Sequence, residues 1–298
     1  FSTLRTNTAP RCALRRLASF LPRNHNGLPH PPMTITRTYT TCRYGQMHLR
    51  TAGVPSDRPV LVMLHQNPSS SWEYEPLIAA MATDRRVIAF DTPGHGMSDP
   101  PPAPPGIAAY AAAFADGLAA LGITGPIDLY GYHTGSLLAI ELALALPAQV
   151  RRIALTGIPM FPPETLAQKL REAVEFPTPD ADGTVILDLL TRLWAYVVKS
   201  RDPRQSLPRA LAHFRDKAHV LDRFTWAYQG VWSYDFNRLR GLTCPALLLQ
   251  PHEDLLPASL AAAALIPTIT IREMPDLDRD IFDIAPKELA RELANFFD

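Results

Sequence analysis

The sequence predicts an α/β architecture: a mainly parallel, doubly wound sheet with helices on both faces and a helical lid inserted late in the chain. Three observations carry this. Short apolar runs bounded by turn residues recur from Met33 onward. Helical patterns separate them, as crossover connections between parallel strands require. At 298 residues and 47% hydrophobic content, the chain is long enough to bury one sizeable core.

The elements follow in order. The alternation "TITRTYT" reads as the first strand, and "MHLRTAG" follows a turn at Tyr44 and Gly45. "PVLVMLH" (59–65), "RRVIAFD" (85–91), "PIDLYG" (126–131), "RRIALTG" (151–157), "CPALLLQ" (244–250) and "TITIRE" (268–273) complete the sheet. Helical patterns fall on "SWEYEPLIAAMAT", "IAAYAAAFADGLAALG", the run after "GYHTG", "LPASLAAAALI" and "PKELARELANFF". The last has Pro286 at its first turn and acids near its start, both favourable there. Residues 159–238 break the alternation with aromatic-rich helical pieces, including Trp194, Tyr196, Trp226, Tyr228 and Trp232. Structureless loops longer than about 15 residues are uncommon, so this insertion reads as a lid. Residues 33–298 are then one domain.

Residues 1–32 hold five arginines and no acid. They read as a leader or upstream sequence outside the working domain, with an organelle transit peptide as the alternative.

Composition excludes several functions. Lys plus Arg and Asp plus Glu both number 29, for a net charge of +0, so no basic stripe exists for nucleic acid or an anionic membrane. Cys12, Cys42 and Cys244 lack C-x-x-C spacing, which argues against a disulfide framework or a thiolate zinc site. A reducing, cytoplasmic setting fits, or an organelle matrix if the leader is a transit peptide. No apolar run reaches the roughly 20 residues of a membrane span. Oligomeric state is not readable from these features.

Four patterns then appear in a telling order. They are "VLVMLHQNPSSSWEY", "VIAFDTPGHGMSD", "GYHTG" and "CPALLLQPHEDLLPA". They resemble, in turn, the HG-x-P turn, the D-x-x-G-x-G-x-S segment, the G-x-S-x-G nucleophile elbow and the acid-bearing turn of the α/β-hydrolase fold. Together they span essentially all of residues 33–298. The resemblance implies a cofactor-independent enzyme with no resident metal, a backbone oxyanion hole from the N–H groups of Asn67 and Thr134, and a triad acid at Asp254. The "HQNPSSS" turn is also similar to that of haloalkane dehalogenases, which need an elbow Asp that is absent here.

The sequence departs from the pattern twice. The elbow centre is His133 where the family carries Ser, Cys or Asp, and the base position falls on Arg279; no histidine follows His252. Gln66 replaces the usual glycine of the first turn and adds a side chain near the pocket. Histidine is among the non-glycine types that tolerate φ > 0, so His133 is compatible with an elbow backbone. Ser136, three residues on, belongs to the first helical turn and reads as a packing or capping hydroxyl.

Four readings of the site stay open. His133 acts as general base or acyl acceptor with Asp254 holding its tautomer. Alternatively Asp254 pairs with Arg279, leaving a small-molecule pocket without turnover. A third adds a metal on His133, His252 and Glu253 or Asp254. In the last, His133 is purely structural. The reading adopted is a hydrolase of a small ester or lactone-like carbonyl substrate under a mainly apolar lid, centred on His133. Its rival is a catalytically degenerate member that binds an apolar ligand or partner. The acids Asp276, Asp278, Asp280 and Asp283 around Arg279 read as a solvated loop with one local ion pair.

Overall fold

The computed structural model describes residues 34–298, which form one compact unit; the reading of residues 1–32 lies outside the described residues. Eight strands make one sheet: β1 (Thr36–Cys42), β2 (Gly45–Ala52), β3 (Val60–Leu64), β4 (Val87–Phe90), β5 (Ile127–Tyr132), β6 (Val150–Thr156), β7 (Ala246–Pro251) and β8 (Ile269–Met274). Their spatial order is β1-β2-β4-β3-β5-β6-β7-β8. The β1–β2 and β2–β4 pairs are antiparallel, and every pair from β4 to β8 is parallel.

The helices are α1 (Glu75–Met81), α2 (Ile107–Ala120), α3 (Thr134–Ala145), α4 (Pro163–Val174), α5 (Thr184–Trp194), α6 (Leu207–Lys217), α7 (Trp226–Trp232), α8 (Leu256–Ala263), α9 (Ile281–Ile284) and α10 (Pro286–Phe297). Helices α4 to α7 constitute the insertion between β6 and β7. Among the described residues, no helix is long and apolar enough to cross a membrane.

Strand alternation builds a core on each face. In β3, Val62 and Leu64 join Phe114 of α2 and Leu138 of α3 in one layer, while Leu61 and Met63 join Ile78 of α1 and Leu293 of α10 in the other. Both faces are covered, so β3 is an unbroken apolar run. Helix α3 is buried along almost its whole length, packed among strands β3, β5 and β6 and helices α2 and α7. Its one acid, Glu141, is buried and answered by Arg238, with Nε 2.5 Å and Nη2 2.7 Å from the two carboxylate oxygens, and by the Tyr234 hydroxyl at 2.7 Å.

The crossing of β5, α3 and β3 explains the elbow glycines. A Cβ on Gly135 would lie 1.8 Å from the Leu64 carbonyl oxygen, and one on Gly131 would lie 2.3 Å from the Gly135 carbonyl oxygen. Only glycine permits such backbone approach. The turn between them is thereby forced, and its centre, His133, takes φ 52° and ψ −111°.

Asp91, which opens the second sequence pattern, is a structural hub. Its buried carboxylate accepts from the N–H groups of Ser71 at 2.8 Å and Met97 at 2.9 Å, and from His48 Nδ1 at 2.8 Å. Burial alone would push this carboxyl up, but the bond and charge of His48, the charge of His65 and the Ser71 contact hold it well below the usual range. A carboxyl depressed in the fold contributes stability fully above its unfolded value of about 3.9, and that contribution is lost as pH falls below it. Urea midpoints measured against pH are therefore expected to decline below about pH 4 in the wild type. In Asp91→Asn the decline is expected to be shallower, from a starting stability lower by about 1–3 kcal/mol.

Candidate active site

The elbow lifts His133 above the ends of the parallel strands, where open α/β sheets place their ligand clefts. The backbone N–H of His133 is fixed by the Thr156 carbonyl at 2.7 Å, and the His133 carbonyl accepts from Ser136 N at 2.9 Å. One face of the imidazole stacks on Tyr132, with centroids 4.0 Å apart.

Nε2 of His133 lies 2.8 Å from both carboxylate oxygens of Glu253. A carboxylate only accepts, so the Nε2–H donates, and in that tautomer the lone pair is on Nδ1. Nδ1 has no hydrogen bond to any described residue, while His133 borders the cavity described below. The Glu253 side chain is 4% exposed and that of His133 is 17% exposed, so the pair is shielded on its carboxylate side and open on its imidazole side.

Two cavities meet at His133. The larger, 600 Å³, runs beneath the insertion and is walled by Phe161, Tyr228 and Trp232, with Asn67, Thr134 and Glu253 at its floor. The smaller, 40 Å³, lies against Tyr132 and His133 and includes Glu73, His213 and Lys217. Its volume suffices for water.

The turn after β3 is held from several sides. Gln66 donates to the fully buried Glu73 through its N–H at 3.2 Å and Nε2 at 2.8 Å, and the Ser69 hydroxyl adds a bond at 2.9 Å. His95 is pushed down to about 3 by burial and then by the neighbouring His65 charge, so a neutral ring faces Asn67 Oδ1 at 2.6 Å. None of these bonds uses the Asn67 N–H. Thr134 opens α3, so its N–H is among those that helix geometry leaves without an intrahelical partner. Both proposed oxyanion donors therefore belong to elements bordering the large cavity.

Several sequence expectations are corrected. The carboxylate on His133 is Glu253 rather than Asp254; Asp254 is an exposed residue in the wall of the large cavity. Nor does Asp254 pair with Arg279, whose Nη2 donates to the Ser200 carbonyl at 2.7 Å and whose guanidinium covers the Tyr196 ring at 4.2 Å. His252 turns outward to Glu273. Among the described residues, no three His, Cys, Asp or Glu side chains gather as metal ligands. Ser136 is fully buried, its hydroxyl between the Gly131 and Thr156 carbonyls at 3.0 and 3.1 Å, which is a packing role.

The acidic loop is not simply solvated either. The Asp283 side chain is 6% exposed and bound by Gln205, Arg209 and His213. Burial opposes its ionisation, but the His213 bond and the charges of His213 and Arg209 hold it below the usual range. The residues that reasoning from sequence missed are Glu253 as the imidazole's partner, and Glu73 and Lys217. The doublet Glu253-Asp254 was the only signal for the first, since adjacent acids after a strand point to different sides; nothing in the sequence flagged the other two.

Gly157, after β6, makes room for the pair. At φ 69°, a Cβ there would lie 2.3 Å from His133 Cδ2 and 2.9 Å from Glu253 Oε1. Gly157→Ala is expected to cost about 1–3 kcal/mol in urea unfolding. It is also expected to displace the ring, which NMR of the imidazole resonances checks.

Comparison with known proteins agrees with this fold. A family model described as alpha/beta hydrolase fold matches residues 59–254. A cis-3-alkyl-4-alkyloxetan-2-one decarboxylase from Xanthomonas campestris pv. campestris is 36% identical over 116 residues, covering 36% of this chain. The match spans 39% of that relative's length, well under two thirds. A Klebsiella pneumoniae relative provisionally named carbamate hydrolase RutD is 30% identical over 206 residues, 66% of this chain and 75% of the relative. Among solved structures, the enol-lactonase from Burkholderia xenovorans LB400 superposes with a TM-score of 0.72 at 20% identity, covering 87% of this chain and 99% of the other. At that identity the likeness concerns the fold alone.

Proposed function

Because the chain belongs to the α/β-hydrolase-fold family, we propose that it is a hydrolase of small esters or lactones in which the imidazole at the elbow is the general base. The observation that carries this is the Glu253 carboxylate on His133 Nε2 at 2.8 Å, which directs the free lone pair of Nδ1 away from Glu253. The relative named for an oxetan-2-one, a cyclic ester, favours a lactone or ester carbonyl over other substrates.

The steps follow from these positions. Water from the small cavity gives a proton to Nδ1 as its oxygen bonds to the substrate carbonyl carbon. The carbonyl electron pair moves onto oxygen, and the N–H groups of Thr134 and Asn67 receive that oxyanion. Collapse reforms the C=O bond and breaks the C–O bond to the leaving alkoxide, which takes the proton back from the imidazolium. A linear ester releases an alcohol; a lactone opens to a hydroxy acid. Glu253 balances the charge on the ring throughout, without itself taking the proton. Helices α4 to α7 act as a lid whose aromatic wall excludes bulk water from the acyl group. No cofactor enters, and the partner is the small-molecule carbonyl substrate.

Two variants and one labelling test separate this reading from a ligand-binding protein without turnover. Glu253→Gln, which leaves a side chain of the same size but no charge, is expected to lower kcat on 4-nitrophenyl butyrate by roughly 10²–10⁴-fold. Asp254→Asn is expected to cost at least about tenfold less than that. Intact-mass analysis after a fluorophosphonate reagent is expected to find no serine adduct; an adduct on Ser136, or equal rates in Glu253→Gln and the wild type, overturns the mechanism.

A further inference from the structure

Lys217 is a buried cation that the proposed chemistry does not use. It ends α6, is 8% exposed, and borders both cavities at His133. Its Nζ donates at 2.8 Å to the carbonyl of Pro68, in the turn that also carries Asn67. An ammonium has three protons to donate, and that carbonyl is its sole hydrogen-bond partner among the described residues. It forms no ion pair with any of them.

The neighbouring acids are already engaged. Glu253 is paired with His133 and Asp283 with Arg209 and His213, while Asp216 is bound by the Ser70 hydroxyl and Glu73 by Gln66, with the one Ser69 hydroxyl lying between those two carboxylates. Asp254 and Glu172, at the wall of the large cavity, are exposed, where water screens them. A desolvated ammonium with no carboxylate in direct contact is costly. Its retention beside a cavity is accounted for when the ligand supplies the negative charge. The same wall holds a second cation, Lys169, whose Nζ lies 5.3 Å from the Phe161 and Trp232 ring centroids and leaves its donors free of carboxylates.

We propose that Lys217 is a specificity-determining residue that binds a carboxylate on the substrate, so that the preferred substrates are short half-esters or lactones carrying a free carboxylate near the reacting carbonyl. The closeness follows from the Pro68 contact: the ammonium sits one residue from the Asn67 N–H that would receive the oxyanion. The substrate class rests on the hydrolase reading above; the binding of a carboxylate at Lys217 does not.

Two measurements keep these apart. Mono-4-nitrophenyl glutarate and 4-nitrophenyl butyrate differ mainly by a terminal carboxylate, and the wild type is expected to favour the former in kcat/KM. In Lys217→Met that preference is expected to fall at least about tenfold, chiefly through KM for the anionic ester, and Lys217→Arg is expected to restore part of it. Glutarate binding by titration calorimetry requires no turnover, and is expected in the wild type and lost in Lys217→Met, with urea unfolding confirming that the variant folds. A preference unchanged within about twofold, or equal glutarate binding in both proteins, overturns the assignment. If no ester is hydrolysed while glutarate still binds through Lys217, the hydrolase reading falls and the anion site stands.

Discussion

The site depends on one steric constraint, the crossing of β5, α3 and β3 with no room for a side chain at Gly131 or Gly135. Because the Leu64 carbonyl occupies the position a Cβ at Gly135 would take, strand and helix meet in a turn too tight for ordinary backbone angles. Its central residue is driven to positive φ and held at the head of α3. Whatever stands there is presented to the cavity with helix N–H groups beside it. The backbone therefore fixes where chemistry occurs before any side chain decides what it is.

In the proposed mechanism the histidine in that position is the base, and water takes the place of the family's side-chain nucleophile. The longer imidazole reaches across Gly157 to Glu253, and the carboxylate orients it as the acid of a triad orients its base. Arg279, standing at the position of the family's base, instead covers Tyr196 and ties the β8 loop to the Ser200 carbonyl of the insertion.

Most of the fold was legible because it is written in local periodicity. The apolar run 59–65 and the pattern 107–122 needed only period and turn residues to be placed, and the spaced motifs then ordered them. The elbow was legible too, since its glycines are demanded by backbone contact. What was not legible depends on side-chain direction. Glu253 and Asp254 are neighbours in the chain, and which one turns inward is decided by Gly157 and His133, far away in sequence. Lys217 carries no motif, and its burial against Pro68 comes from how α6 docks on the sheet domain. Likewise Asp283 looked solvated until His213 and Arg209, about seventy residues upstream, closed over it.

As the proposed general base, the elbow imidazole should be indispensable to turnover. Hydrolysis of 4-nitrophenyl butyrate by His133→Gln should be compared with the wild type at matched, folded concentration. The rate is expected to fall by at least about 10²-fold, the usual scale for loss of a positioned general base. Equal rates in the two proteins would contradict the claim and leave His133 a structural residue of the turn.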